Sequence, residues 1–307
     1  METIELIEEA IRTLKINRMR TGLAMLGIII GIGSVIALVS LGQGSEASVT
    51  NQIQSLGANL LTVSPGSQSS GFVQSGAGSA TTLTLADAEA ISGNATNVSN
   101  VSPEYSKRAQ VTSGNKNTNT SITGVKAIYS SIHKVNVSSG VFISDSDDTR
   151  QSKVAVLGPT TVSNLFGEGV NPIGQSIRIQ GQSFKVIGVT ESKGGTGFNN
   201  QDDAIYVPLS TAMKVLFGST SLTSIAVEAK SSEVMTTAQD EVGYILLDRH
   251  KISSPTEADF SIFSQNDILS TASSVTGTFT ALLSGIAAIS LVVGGIGIMN
   301  IMLVTVT

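Results

Sequence analysis

The chain has no cysteine and no tryptophan, and aromatic residues make up only 4% of it. Without cysteine there is no disulfide framework, no thiolate metal site and no thiol nucleophile. A cysteine-free chain is stable on either side of a membrane, so this absence leaves the compartment open. Charge is scarce as well: 13% of the 307 residues are charged and the net charge is −5, which excludes a generally basic nucleic-acid binder. There is no G-x-x-x-x-G-K-[ST] to cradle a nucleotide phosphate and no G-x-S-x-G nucleophile elbow. Asp145, Asp147 and Asp148 open like a calcium loop, but the sixth position is Arg150 and the twelfth Val156, so a solvated loop is expected. His133 and His250 lack neighbours at zinc-ligand spacing and read as surface or hydrogen-bonded side chains. Five N-x-[ST] triplets, at Asn94, Asn97, Asn100, Asn119 and Asn136, are what a chain rich in Asn, Ser and Thr produces by chance. No catalytic, cofactor-binding or metal-binding residue is expected, and the chain reads as a non-enzyme.

What the sequence does contain is apolar, and it is unevenly placed. Hydrophobic residues are 41% of the chain and the mean hydropathy is +0.25. No ionisable side chain occurs from Thr21 to Ser45, nor from Ile268 to Thr307. The apolar parts, 21–41 and 281–304, are long enough as helices to cross the roughly 30 Å hydrocarbon core of a bilayer. Two runs of this length argue for membrane spans over buried soluble helices. The first exceeds a signal-peptide core of about 7–15 residues and has no A-x-A-like cleavage site after it.

Ahead of it, Ile4, Ile7, Ile11 and Leu14 recur at helical spacing, which predicts an amphipathic surface helix over 1–20. Its basic residues Arg12, Lys15, Arg18 and Arg20 flank the first span and place the N-terminus in the cytoplasm by the positive-inside rule. The segment 42–278 is then extracytoplasmic in a multi-pass protein of the cell (inner) membrane. Within the spans, Gly27 and Gly31 form a G-x-x-x-G, and Ser290 and Gly294 a second small pair where another helix can approach closely. Asn300 is an amide deep in the apolar run and needs a partner that lipid cannot supply.

The external segment predicts mixed α and β structure. A polar helix over 42–57 continues the first span, and another over 265–280 leads into the second. Between them, 58–124 and 199–264 alternate strand and helix, while 125–198 has the texture of a small β-rich insertion. Thr84 with Asp87 three positions on marks a helix start, Gly181 a hairpin turn, and Ser210 and Gly218 the two ends of a helix. The Gly/Ser-rich stretch 66–80 reads as a flexible loop. Polar helices continuous with the spans at both ends favour mechanical connection, because a rigid helix transmits a displacement that a Gly/Ser linker would absorb.

The chain resembles the permeases of MacB-like ABC transporters, within the FtsX-like permease group. The residues that carry the likeness are AIRTL (10–14) with RMRTGLAMLGIIIG (18–31), LGANLLTVSPG (56–66), VAVLG (154–158), NPIGQSIRIQGQSFKVIGV (171–189) and DAIYVPLSTA (203–212). DRH (248–250), DF (259–260) and GGIGIMNIMLVTVT (294–307) complete the set. The resemblance implies an α+β membrane protein with a porter-like α/β domain and an inserted sabre-like subdomain over 125–198. It also implies a homodimer, ATP hydrolysis on a partner ABC ATP-binding subunit, and contact with an extracytoplasmic adaptor. Family permeases have four spans, so residues 305–307 read as the truncated start of a cytoplasmic loop and the sequence as a fragment. With no P-loop domain ahead of Met1, the ATPase is expected as a separate subunit. Two other readings stay open on hydropathy: a two-span receptor with an external ligand-binding domain, and a permease relative that regulates a cell-wall hydrolase.

Overall fold

A computed structural model describes residues 18–54, 59–66, 69–70, 73–74, 81–194 and 201–306. Most of the expected N-terminal amphipathic helix, including Arg12 and Lys15, lies outside these residues. In chain order the elements are α1 (Arg18–Gln54), β1 (Leu60–Pro65), β2 (Ser69–Ser70), β3 (Val73–Gln74), α2 (Leu85–Asn94), β4 (Val98–Ser113) and β5 (Lys116–Val125). They continue with α3 (Tyr129–Ile132), β6 (Val137–Gly140), α4 (Asp145–Thr149), β7 (Val154–Leu157), α5 (Pro159–Leu165), β8 (Ser176–Ile179), β9 (Gln182–Thr190) and β10 (Ala204–Pro208). A π-helix (Thr211–Phe217), β11 (Ser224–Ala229), α6 (Met235–His250), β12 (Phe260–Ser264) and α7 (Gln265–Val306) follow. The chain divides into two compact units, one of residues 1–52 with 269–307 and one of residues 53–268.

The first unit holds the long helices. The 37 residues of α1 take in 21–41 and 42–54, residues 55–57 of the expected extension lying outside the described residues, and the 42 of α7 take in 265–280 and 281–304. Among the described residues no helix is long and apolar enough to cross a membrane. Within this unit the helices meet where Gly42 leaves room, since a Cβ there would lie 3.0 Å from Thr280 Oγ1. Val35, Leu38, Val39, Leu283 and Ser284 line a shallow cleft beside that contact.

The second unit, the head, has two lobes that share β4. In the first lobe, β12, β1, β11 and the leading half of β4 form an antiparallel sheet. Alternation along β1 sends Leu61 and Val63 into the core, where they join Ile91 of α2 and Ala238, Val242 and Leu246 of α6. At Glu104 the strand still faces Ser224 of β11; from Tyr105 onward it pairs with β5.

The second lobe closes on itself. Following the hydrogen bonds from β4 through β5, β10, β7, β9 and β8 returns to β4, which makes a six-stranded ring with β6 added on β9. Closure removes the sheet edges that a small β lobe would otherwise expose. Its interior is filled by Val111, Ile122, Leu157, Ile177, Ile179, Phe184, Val186 and Ile205. The β8–β9 turn sits where Gly181 was expected to place it; Gln180 and Gly181 both have positive φ, 50° and 78°, as a two-residue hairpin turn whose twist matches its strands requires.

Several expectations change. The stretch 66–80, read as loop, contains the short β2–β3 pair, Ser69 opposite Gln74 and Ser70 opposite Val73. Ser210 precedes the predicted helix, but its side chain makes no cap bond; its N–H donates to Asp148 Oδ1 at 2.6 Å. That helix is π-helical and presses Ala212 against Gly124, where a Cβ would lie 2.5 Å from the Ala212 methyl. On α6 the buried row is Met235, Ala238, Val242 and Leu246, with Ile245 half-buried beside it. The strands of the 125–198 insertion bond directly to β4 and β10, whose residues the sequence reading assigned to the flanking parts.

Candidate functional site

The residues singled out in the spans are mostly beyond description. Gly27, Ser290, Gly294 and Asn300 are helical, as are Arg18 and Arg20, but their surroundings lie outside the described residues. Gly31 is buried while Ile29, Ile30 and Ile32 around it are exposed.

The structure brings together a different set. β1 follows α1 in the chain and β12 runs straight into α7, and these two strands pair with each other at the edge of the first-lobe sheet, from Leu61 opposite Ser264 to Pro65 opposite Phe260. At the Pro65–Phe260 end the pair is fastened. Gly66 donates its N–H to the carbonyl of Asp259 at 2.7 Å, and the Thr82 hydroxyl donates to the same carbonyl at 3.3 Å. The Asp259 side chain reaches His250 Nδ1 at 2.7 Å. The other ring nitrogen of His250 lies 3.5 Å from Asp87, which also takes the Arg249 guanidinium Nε–H at 2.6 Å.

Asp87 organises this clasp from the first turn of α2. Its carboxylate accepts from the Thr84 N–H at 2.8 Å and the Thr84 hydroxyl at 2.7 Å, closing the capping box that the sequence predicts. The side chain is 3% exposed. Burial by itself would raise its pKa, but Arg249, the two Thr84 donors and the neighbouring His250 outweigh it and hold the carboxyl below its ordinary value. The arrangement ties α2, α6 and the start of β12 through one buried acid. It is a structural tie made of hydrogen bonds and ion pairs.

The members of the clasp were legible one by one. Pro65-Gly66, Asp248-Arg249-His250 and Asp259-Phe260 are among the segments that carry the family likeness, and Asp87 stood out as a helix start. Nothing local says that positions 66, 87, 249, 250 and 259 meet. Gly66 shows how tight the meeting is, because a Cβ there would lie 2.8 Å from both the carbonyl carbon and oxygen of Asp259. Gly66→Ala should therefore destabilise the head by about 1–3 kcal/mol, the usual cost of forcing a methyl into backbone. A shift in the thermal midpoint checks it.

The chain matches the MacB-like periplasmic core domain over residues 21–244. It is 40% identical over 307 residues to the macrolide export ATP-binding/permease protein MacB of Bdellovibrio bacteriovorus, covering 100% of this chain and 47% of that protein. To the protein of the same name from Azoarcus sp. it is 38% identical over 307 residues, 100% of this chain and 45% of the relative. The chain thus spans about half the length of the curated relatives it matches. Among solved structures, the periplasmic region of MacB from Actinobacillus actinomycetemcomitans superposes with a TM-score of 0.61 at 23% identity, covering 73% of this chain and 97% of that one. The extracellular domain of the noncanonic ABC-type transporter YknZ from Gram-positive bacteria gives 0.55 at 18% identity, with 67% and 100% covered. At these identities both structures speak to the α+β fold alone. The family match takes in most of the chain, and with it this protein belongs to the MacB-like periplasmic core domain family.

Proposed function

We propose that this chain is the force-transmitting part of an export permease: α1 and α7 cross the bilayer and move the head in response to ATP hydrolysis by a nucleotide-binding partner. Over the complete sequence the apolar runs 21–41 and 281–304 hold 21 and 24 residues without a charge, enough to span. Exposed Ile29, Ile30 and Ile36 on α1 and Leu282, Ile286, Ile289 and Val292 on α7 suit lipid better than water. The N-terminus then faces the cytoplasm and the head lies outside, in a homodimer whose helices pack through the small residues around Gly31 and Gly294. The relatives are named for macrolide export; we extend export to this chain, with an extracytoplasmic adaptor as partner, and leave the cargo open.

One observation carries the reading. The strands joined to the two long helices are neighbours in one sheet, fastened at their far end by the Asp87–Arg249–His250–Asp259 clasp. A displacement of either helix therefore reaches β1 or β12 through the chain itself, and Asp259 joins β12 to α6 and α2. Asp259→Asn weakens the bond to His250 without removing a strand. In the assembled transporter it should leave ATP hydrolysis within about two-fold while export falls roughly ten-fold, the equivalent of about 1.4 kcal/mol of lost coupling. Export unchanged, or ATPase and export falling together, would overturn the mechanical reading.

A further inference from the structure

The chain passes between the two head lobes twice, along β4 at Glu104–Tyr105 and along residues 218–223 back to β11. The passages are pinned to each other at one point. Thr223 donates its N–H to the Glu104 carbonyl at 3.0 Å, and its hydroxyl accepts from the Ser106 N–H at 2.8 Å.

The two sides of this seam differ. On one side the apolar core runs from lobe to lobe without interruption, from Val63 and Ile225 through Tyr105 to Ile122 and Ile205. On the other, a short segment of the second lobe reaches across the first-lobe sheet. Its Ile132 meets Leu60 and Ala226 in a separate small cluster. Its His133 Nε2 lies 2.6 Å from Glu104 Oε1, with side chains 17% and 12% exposed. Ser224 Oγ donates to the other Glu104 oxygen at 3.2 Å, and Lys193 Nζ donates to the His133 carbonyl. Tyr129 lies against His133 with ring centroids 4.2 Å apart and planes tilted by 31°.

A third feature belongs to the same side. Ser102 Oγ is, among the described residues, the buried side-chain polar atom that lacks a partner. Strand alternation puts it on the same face as Glu104. A buried hydroxyl with no partner costs free energy when shut away from water and recovers it when water enters. So one side of the seam is a continuous apolar core, and the other is a small apolar cluster with the His133–Glu104 pair beside a hydroxyl that gains from hydration.

We propose that the head is a two-lobed hinge, pivoting at the Glu104–Thr223 pin and latched shut by residues 128–133 through the His133–Glu104 pair. This goes beyond the export reading and does not depend on it. Releasing the latch lets the closed ring and the first-lobe sheet swing apart while each keeps its own hydrogen bonds.

The absence of cysteine allows clean labelling. Spin labels at Glu89→Cys on α2 and Arg178→Cys on β8, both exposed, read the distance between lobes in the detergent-solubilised chain. With the latch intact the distribution should be narrow. Glu104→Gln, which keeps the side-chain shape, and His133→Ala should each broaden it about two-fold or add a second population. In the same variants, hydrogen exchange at Ile132 and Val135 should quicken about ten-fold, with protection kept in β10 and β11. An unchanged distribution in both variants would overturn the hinge. So would uniform loss of protection in both lobes, which would make the pair part of the fold and not a latch.

Discussion

Asp87→Ala should destabilise the head by about 3 kcal/mol, the low end of what removing one partner of a buried charged network costs. Three losses combine. The capping box of α2 loses its N3 carboxylate, Arg249 loses the acceptor at 2.6 Å, and His250 keeps only Asp259. The figure sits low in the range because Arg249 is 36% exposed and regains water once freed. Against a typical total of about 5–15 kcal/mol the loss is large, and urea unfolding followed by circular dichroism would measure it. Asp87→Asn should cost less, since the amide still accepts from Thr84.

The same residue fixes a pH signature. Its folded pKa is lowered below the ordinary 3.8, so its contribution is fully present above that value and is lost as pH falls through the folded pKa. Stability of the unsubstituted chain should thus fall below about pH 4. In Asp87→Asn that part of the slope should be missing. An equally steep acid limb in the variant would remove Asp87 as its source.

Phe184→Ala should cost about 3–5 kcal/mol. Phe184 is fully buried and points into the ring, directly across from Ile177 in the β8–β9 hairpin. Closed strands cannot collapse far into a void, because each is bonded on both sides, so the cavity persists and the cost stays near the top of the range. Phe184→Leu keeps most of the volume and should lose under about 1.5 kcal/mol. With no tryptophan in the chain, tyrosine fluorescence is the natural probe. Three of the four tyrosines, Tyr105, Tyr129 and Tyr206, belong to the ring lobe or its border, so the signal is weighted towards the lobe in question.

The hairpin at Gly181, the capping box at Thr84 and Asp87, and the long helices at both ends were readable because each depends on residues within a few positions. Gln180-Gly181 sets a turn by backbone freedom alone, and Thr84 meets Asp87 one turn later. The limits of the 125–198 insertion were harder to read, since the ring needs β4, β5 and β10 from outside it. Strand texture shows that a segment will pair and does not show with which strand. The π-helix after Ser210 escaped for a related reason: its spacing suits a helix, and the fit of Ala212 to Gly124 is set by distant chain.

Sequence alone determined the family, the two apolar runs, the helices that contain them and the hairpin turn at Gly181. The family follows from the segments that carry the likeness, and the runs and helices from periodicity, turn chemistry and charge placement, which act over short stretches of chain. Tertiary structure decided that the strands next to the long helices are partners, that six others close a ring, and that Asp87, Arg249, His250 and Asp259 share one site. Those contacts join residues up to 203 positions apart, as Leu61 and Ser264 are, and they form only when burial of the core brings the strands and helices into register.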